Sequence, residues 1–228
     1  MKKKHIKIAV LLVLISLFSV FILKPVVETA WSTWMGFVSP SYQKHLREKW
    51  ESKSTDFLLG KMRHPSVYYS GVATALLRQR KETSRVDEIL WLVKHGFFRR
   101  TKELALGILY AWDEQQAIDL SMEILKSGKR HPLYEDALRN LSRRKYEPAY
   151  PYVLDLAKSD DPLATGAVKL LEDYGKPDAI PILEAMLTKV RMQDKLVAEI
   201  DRRRIYEAIE SIKKQNNLIA KSPQGVSS

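Results

Sequence analysis

The feature that most constrains the fold of this chain is an internal repeat. Small-and-aliphatic clusters recur at Gly71–Leu76, Leu104–Ile108, Ala137–Leu141 and Gly166–Leu170. Their alanines Ala73, Ala105, Ala137 and Ala167 are spaced 32, 32 and 30 residues apart. A second marker, Val86, Ile118, Tyr150 and Ile180, keeps the same three spacings. These residues open four apolar stretches of helical periodicity: Val86–Val93, Ile118–Leu125, Tyr150–Ala157 and Ile180–Leu187. Two markers with one period predict repeating pairs, each a helix A, a tight turn and a helix B. One such pair cannot bury both of its faces, so several must stack to make a core.

Local signals agree with this division. Pro65, Pro132 and Pro162 fall near the starts of A helices, and Pro151 and Pro181 in the first turns of B helices, where a missing N–H costs little. Asp161 reads as an N-cap, and Gly175-Lys176-Pro177-Asp178 as a turn between A and B. Upstream, Ser39-Pro40-Ser41 opens a segment in which Leu46, Trp50, Phe57 and Leu58 keep helical spacing, predicting one amphipathic helix over about 41–60. Downstream, a helix over about 193–214 carries Val197, Ile200, Ala208, Ile209 and Ile212 on one side and Arg202, Arg203, Lys213 and Lys214 on the other. An apolar stripe backed by charge suits a terminal capping helix.

The pairs, above all Asp178-Ala179-Ile180-Pro181-Ile182-Leu183 after a Gly-containing turn, resemble HEAT repeats, closest to the short HEAT-like class found in phycobilisome-lyase-type proteins. The resemblance covers roughly 64–189, with the fourth unit the clearest. It implies an all-α fold, an α-solenoid of about four helix pairs. The extended surface of such a stack is expected to bind a protein partner without catalysis. The tetratricopeptide repeat has a similar period, but its Trp, Gly–Tyr and terminal Pro pattern is not visible at this spacing. The lyase-type members suggest a second reading, an enzyme or enzyme accessory subunit. This chain has no Cys and no converging acid/base set to support chromophore chemistry.

Ahead of the repeats lies a different kind of segment. Lys2, Lys3, Lys4 and Lys7 precede Ile8–Leu23, sixteen residues without a charge. At about 1.5 Å per residue the run covers roughly 24 Å, and Lys24 can snorkel while Val26–Val27 extend it toward bilayer thickness. Trp31 and Trp34 follow, rings suited to the headgroup level. Cleavage after Ala30 or Ser19 would put Glu28 or Leu17 at the position needing a small residue, so an uncleaved signal-anchor is expected. With four Lys before the run, the positive-inside rule places the N-terminus in the cytoplasm and the repeats outside it. The expected organisation is an anchor and interfacial segment over 1–38, a solenoid over 39–215 and a disordered tail over 216–228.

Sites of chemistry are sparse. The absence of Cys removes disulfides, thiolate metal centres and a thiol nucleophile. None of the five His belongs to an H-E-x-x-H pattern, and no P-loop, G-x-G-x-x-G or G-x-S-x-G occurs. No catalytic residue, metal site or cofactor is therefore expected. His64 and His131 each precede a Pro at a unit boundary, a loop or capping position. Asn140-Leu141-Ser142 is a formal glycosylation acceptor inside a predicted helix.

Charge gives the better candidates. Arg78, Arg80 and Lys81 occupy the A–B turn of the first unit, and Arg143, Arg144 and Lys145 the same turn of the third. They are the expected contacts for an acidic protein segment or, alternatively, for anionic lipid headgroups. Tyr68, Trp91, Phe97, Phe98 and Trp112 are candidate aromatic anchors. Nucleic acid needs a continuous positive track, whereas Asp113 and Glu114 interrupt this edge. Of the formal charge of +11, the five Lys around the apolar run supply +5. Residues 101–189, units two to four, hold 12 basic and 15 acidic side chains, so these units are close to neutral while the first unit and the terminal helix are basic.

Overall fold

A computed structural model describes residues 24–38, 41–159, 164–190 and 195–220. The described residues are helical with no strand. The order is α1 (Lys24–Val38), α2 (Tyr42–Trp50), α3 (Thr55–Met62), α4 (Val67–Arg80), α5 (Val86–His95), α6 (Arg99–Trp112), α7 (Glu114–Ser127), α8 (Tyr134–Arg143), α9 (Tyr150–Lys158), α10 (Ala164–Tyr174), α11 (Ile180–Val190) and α12 (Lys195–Ala220). The all-α expectation holds. Asp161 and Pro162, the expected cap and first-turn proline of α10, lie outside the described residues, as do Ser39, Pro40 and 221–228.

Two compact units divide the chain, Met1–Ala117 and Ile118–Ser228, with the border inside α7. In the first, α2, α4 and α6 are neighbours in turn, α3 packs on α4, α5 packs on α6, and α1 lies against α2 and α4. In the second, α8, α10 and α12 are neighbours in turn, α9 packs on α10 and α11, and α11 packs on α12.

The repeat register reappears as burial. Ala73, Ala105, Ala137 and Ala167 are all fully buried, so the small residues sit where helices touch. A third set in the same register, Leu77, Leu109, Leu141 and Leu171, is also fully buried. A fourth set, Ile89, Ser121, Val153 and Leu183, lies within the B helices and is equally enclosed.

The A–B turns share a backbone device. In three of the four repeats a three-residue 3-10 turn precedes the B helix: Thr83–Arg85, Glu147–Ala149 and Pro177–Ala179. Each turn follows an A helix that ends in a left-handed residue, Lys81 at φ 50°, Lys145 at φ 52° and Gly175 at φ 69°. The equivalent residue of the second repeat, Asp113, is extended instead, at φ −144°. Asp113 caps α7, its Oδ1 accepting the Gln116 N–H at 2.9 Å.

A left-handed end favours glycine, because a Cβ there meets the following carbonyl. Lys81→Gly and Lys145→Gly are therefore expected to raise stability by about 0.5–1 kcal/mol each. Gly175→Ala should lower it by about 1–2 kcal/mol, since its Cβ would also run into the Gln215 side chain. Thermal unfolding of the three variants checks both directions.

Three sequence expectations need correction. The single helix over 41–60 is two helices, α2 and α3, broken at 51–54. The Ser54 side chain accepts the Phe57 N–H at 3.3 Å and starts α3 afresh. In α12 the buried face is Ile205, Ala208, Ile209 and Ile212, while Ile200 is 48% exposed. Five residues at 100° each rotate Ile200 well away from Ile205. The helix α12 continues to Ala220, past the start of the tail expected from 216. Asn216 Nδ2 donates to the Gly175 carbonyl at 3.0 Å, tying α12 to the end of α10.

Candidate functional site

Each basic triad sits where its A helix ends, and its members have different tasks. Arg80 is half-buried and serves the backbone: its guanidinium donates to the carbonyls of Glu51 at 2.8 Å and Lys53 at 2.5 Å, and to Thr55 Oγ1 at 3.2 Å. Thr55 in turn donates to Glu82. Arg80 thus satisfies carbonyls left without helical partners just beyond α2. Arg78 and Lys81 are exposed. In the second unit Arg143, Arg144 and Lys145 are all exposed, and Arg144 donates to the Asn140 carbonyl of its own helix at 3.1 Å. Arg143 and Lys145 border an open cavity of about 350 Å³ with Lys169, Glu172 and Asp173. Lys169 is paired there with Glu172 at 3.0 Å and Asp173 at 3.2 Å, so this cavity carries both signs.

The register position at the end of each A helix is a device that sequence reasoning missed. Arg80, Trp112 and Tyr174 are the last residues of α4, α6 and α10, and Arg144, their equivalent, stands one residue beyond α8. Trp112 Nε1 donates to the Leu77 carbonyl at 2.7 Å, and Tyr174 Oη to the Tyr146 carbonyl at 2.8 Å. Together with Arg80, three of these four side chains reach the backbone of the preceding helix or turn. Trp112, one candidate aromatic anchor, is consequently a buried structural residue. Burial pushes the Tyr174 hydroxyl up to about 12, keeping it a donor at any ordinary pH. The signal in the sequence was the alignment of four polar-tipped side chains one place before Lys81, Asp113, Lys145 and Gly175.

The two His-Pro sequences share one geometry. His64 Nδ1 accepts the Ser66 N–H at 3.1 Å, and His131 Nδ1 accepts the Leu133 N–H at 3.2 Å. Both bonds lie just ahead of an A helix, in the capping position read from the sequence. His64 has a further role, since Nε2 lies 3.2 Å from Glu28 Oε2 on α1. Lys61 Nζ lies 3.7 Å from the same carboxylate. One turn further along α1, the buried Ser32 hydroxyl contacts that of Ser66. These contacts fasten α1 to the loop between α3 and α4.

Burial lowers the His64 pKa, with the Lys61 charge acting in the same direction and Glu28 opposing. The folded value therefore lies below the unfolded one of about 6.5. Stability from the neutral ring is fully present above that pH and is lost as pH falls through the folded value. Acidification from pH 7 to 5 is expected to loosen α1, and His64→Gln should flatten the response. Hydrogen exchange at Glu28–Trp31 across that range checks it.

Facing away from this contact, α1 exposes Val26, Val27, Trp31 and Trp34, with the two indole rings 5.3 Å apart. Trp91, Phe97 and Phe98 are exposed as well, while Tyr68 is half-buried against Tyr42. The other anchoring candidates, Lys2, Lys3, Lys4 and Lys7, and the apolar run Ile8–Leu23 lie outside the described residues. Among the described residues no helix is long and apolar enough to cross a membrane. Among them, too, no three His, Asp or Glu side chains are grouped to hold a metal ion. Asn140 of the formal acceptor lies within α8, its amide donating to the Asp136 carbonyl at 2.8 Å, and Ser142 is fully buried.

Shallow cavities also open between neighbouring helices. One of about 380 Å³ lies between α2 and α4, floored by Gly71, Val72 and Ala75 and edged by Lys44 and Arg47. Another of about 240 Å³ lies over Leu138 and Leu170, edged by Glu135, Arg139 and Thr165. These furrows suit side chains of a partner better than an enclosed substrate. Comparison with family models, curated proteins and solved structures returns no match.

Proposed function

We propose that the chain is a single-pass membrane protein, anchored by Ile8–Leu23 with its N-terminus in the cytoplasm. On this reading its helix pairs form a HEAT-like α-solenoid outside the cytoplasm and bind a protein partner without catalysis. The observation that carries the reading is the packing of like helices in turn, α8 on α10 on α12 and α9 on α11, in a register that buries the same position of every repeat. Stacked pairs offer an extended surface, and the anchor would confine the partner near the bilayer and raise its effective concentration. Arg78 and Lys81 in the first unit and Arg143 and Lys145 in the second are the exposed basic contacts for an acidic partner segment. Arg80 supports the turn that presents the first set.

Photo-crosslinking in native membranes tests this. A benzophenone residue at Arg78, Lys81, Arg143 or Lys145 should give a discrete adduct that disappears when the neighbouring basic residues are changed to Glu. The same probe at Lys126, exposed on α7, should give none. Equal labelling at all sites, or none at any, would remove the basic turns as the binding surface.

A further inference from the structure

The loop joining α5 to α6 is built in a way that water does not reward. Gly96 closes α5, its N–H donating to the Leu92 carbonyl at 2.9 Å, and a Cβ there would stand 2.6 Å from that oxygen. The chain must therefore turn sharply, and it sends out Phe97, 91% exposed, and Phe98, 61% exposed. Their rings meet edge to face at 4.9 Å, so the pair forms one apolar tip. Around it the sequence from Lys94 to Lys102 holds Lys94, His95, Arg99, Arg100 and Lys102 and no acid. Arg63, from the α3–α4 loop, lies 3.8 Å from Glu88, which compensates its charge.

Arg99 and Arg100 open α6. A helix N-terminus carries partial positive charge, so two guanidinium groups there oppose the dipole instead of complementing it. Arg100 Nε donates to the Ser70 hydroxyl at 3.4 Å, and both Arg residues remain exposed. Exposed adjacent Phe rings are likewise unfavourable in water. An anionic bilayer surface satisfies both features at once, taking the rings among the upper acyl chains and the cations among the phosphates.

The loop also lies beside the segment that carries the apolar run into the fold. Phe98, Arg100 and Thr101 line a cavity of about 240 Å³ with Met62, His64 and Pro65. His64 is the residue that holds Glu28 of α1. Glu28 is only about 6 Å along the helix from Lys24, where the apolar run has just ended. Val26, Val27, Trp31 and Trp34 continue the apolar surface on α1.

We infer that the Phe97–Phe98 tip and its basic collar form a second membrane contact, inserting into the headgroup region of an anionic leaflet and fixing the orientation of the first unit on the bilayer. This rests on the anchor reading above and adds a site distinct from the basic turns.

The full chain, which has no Cys of its own, can be labelled at single positions. Phe97→Cys carries an environment-sensitive NBD group, and Asp87→Cys, exposed at the opposite end of α5, serves as the control. Both are reconstituted in vesicles of phosphatidylcholine with phosphatidylglycerol. The label at 97 should shift to the blue and be quenched by lipids spin-labelled high in the acyl chain; the label at 87 should do neither. Adding Arg99→Glu with Arg100→Glu should lower the ratio of docked to undocked loop by about tenfold or more.

If the chain resists carbonate extraction while the label at 97 stays water-like, the second contact is wrong and the anchor stands. If carbonate releases the chain, the anchor reading fails and this inference falls with it. If 97 becomes protected in native membranes but not in lipid vesicles, the occupant is a protein, which also overturns the proposal.

Discussion

Trp112→Ala is expected to destabilise the first unit by about 3–5 kcal/mol, a large share of the 5–15 kcal/mol typical of a whole domain. The indole is buried at the end of α6, and its N–H satisfies the Leu77 carbonyl in the last turn of α4 at 2.7 Å. Removing it leaves both a cavity and an orphaned acceptor where two neighbouring A helices meet. Trp112→Phe separates these effects: most of the ring volume stays, and the loss should fall to about 1–3 kcal/mol, the cost of leaving one buried acceptor unsatisfied. Urea unfolding of the full chain in detergent, followed by helical circular dichroism, measures both. Equal effects for Ala and Phe would mean that the bond, and not the packing, holds this junction.

Leu141→Ala should cost the second unit about 2–5 kcal/mol. Leu141 has no exposed surface and occupies the register shared by Leu77, Leu109 and Leu171, which are equally enclosed. The same change at any of the four is therefore expected to fall in the same range, because each faces an equivalent junction of helices. Arg143→Ala, two positions later and exposed, should stay within about 0.5 kcal/mol. Hydrogen exchange would place the loss at α8–α10 for Leu141 and at α4–α6 for Leu77. A cost at Leu141 no larger than that at Arg143 would show that the repeat register does not define the core.

Much of the helix layout was legible because apolar runs and turn signals coincide. Val86, Tyr150 and Ile180, chosen as markers, are the first residues of α5, α9 and α11. The second repeat departs from this: α7 begins at Glu114, with Asp113 as its cap and no 3-10 turn between them. The break between α2 and α3 was missed because Trp50 and Phe57 lie seven residues apart and preserve helical phase across a gap. Periodicity cannot register an interruption that keeps the phase; Ser54-Thr55-Asp56, a good N-cap sequence, was the available signal.

The basic triads were legible as charge but not as geometry. Nothing in the sequence Arg80-Lys81 separates a guanidinium committed to the Glu51 and Lys53 carbonyls from an ammonium in solvent. The left-handed Lys81 and Lys145 become visible only through their alignment with Gly175. Contacts distant along the chain were the least accessible. The bonds from Glu28 to His64 and from Ser32 to Ser66 span 36 and 34 residues and join a segment read as interfacial to the body of the first unit. Trp31 and Trp34 are exposed on the other side of that same helix.

The measurement that bears most directly on the proposed function is side-specific labelling of single cysteines in intact cells. Lys3→Cys precedes the apolar run and Lys129→Cys is exposed between α7 and α8. A membrane-impermeant maleimide should react with position 129 in intact cells, with any outer membrane permeabilised, and with position 3 only after lysis. Labelling of position 129 only after lysis would contradict the account, for the helical repeats would then lie on the cytoplasmic side, away from the partner surface proposed for them.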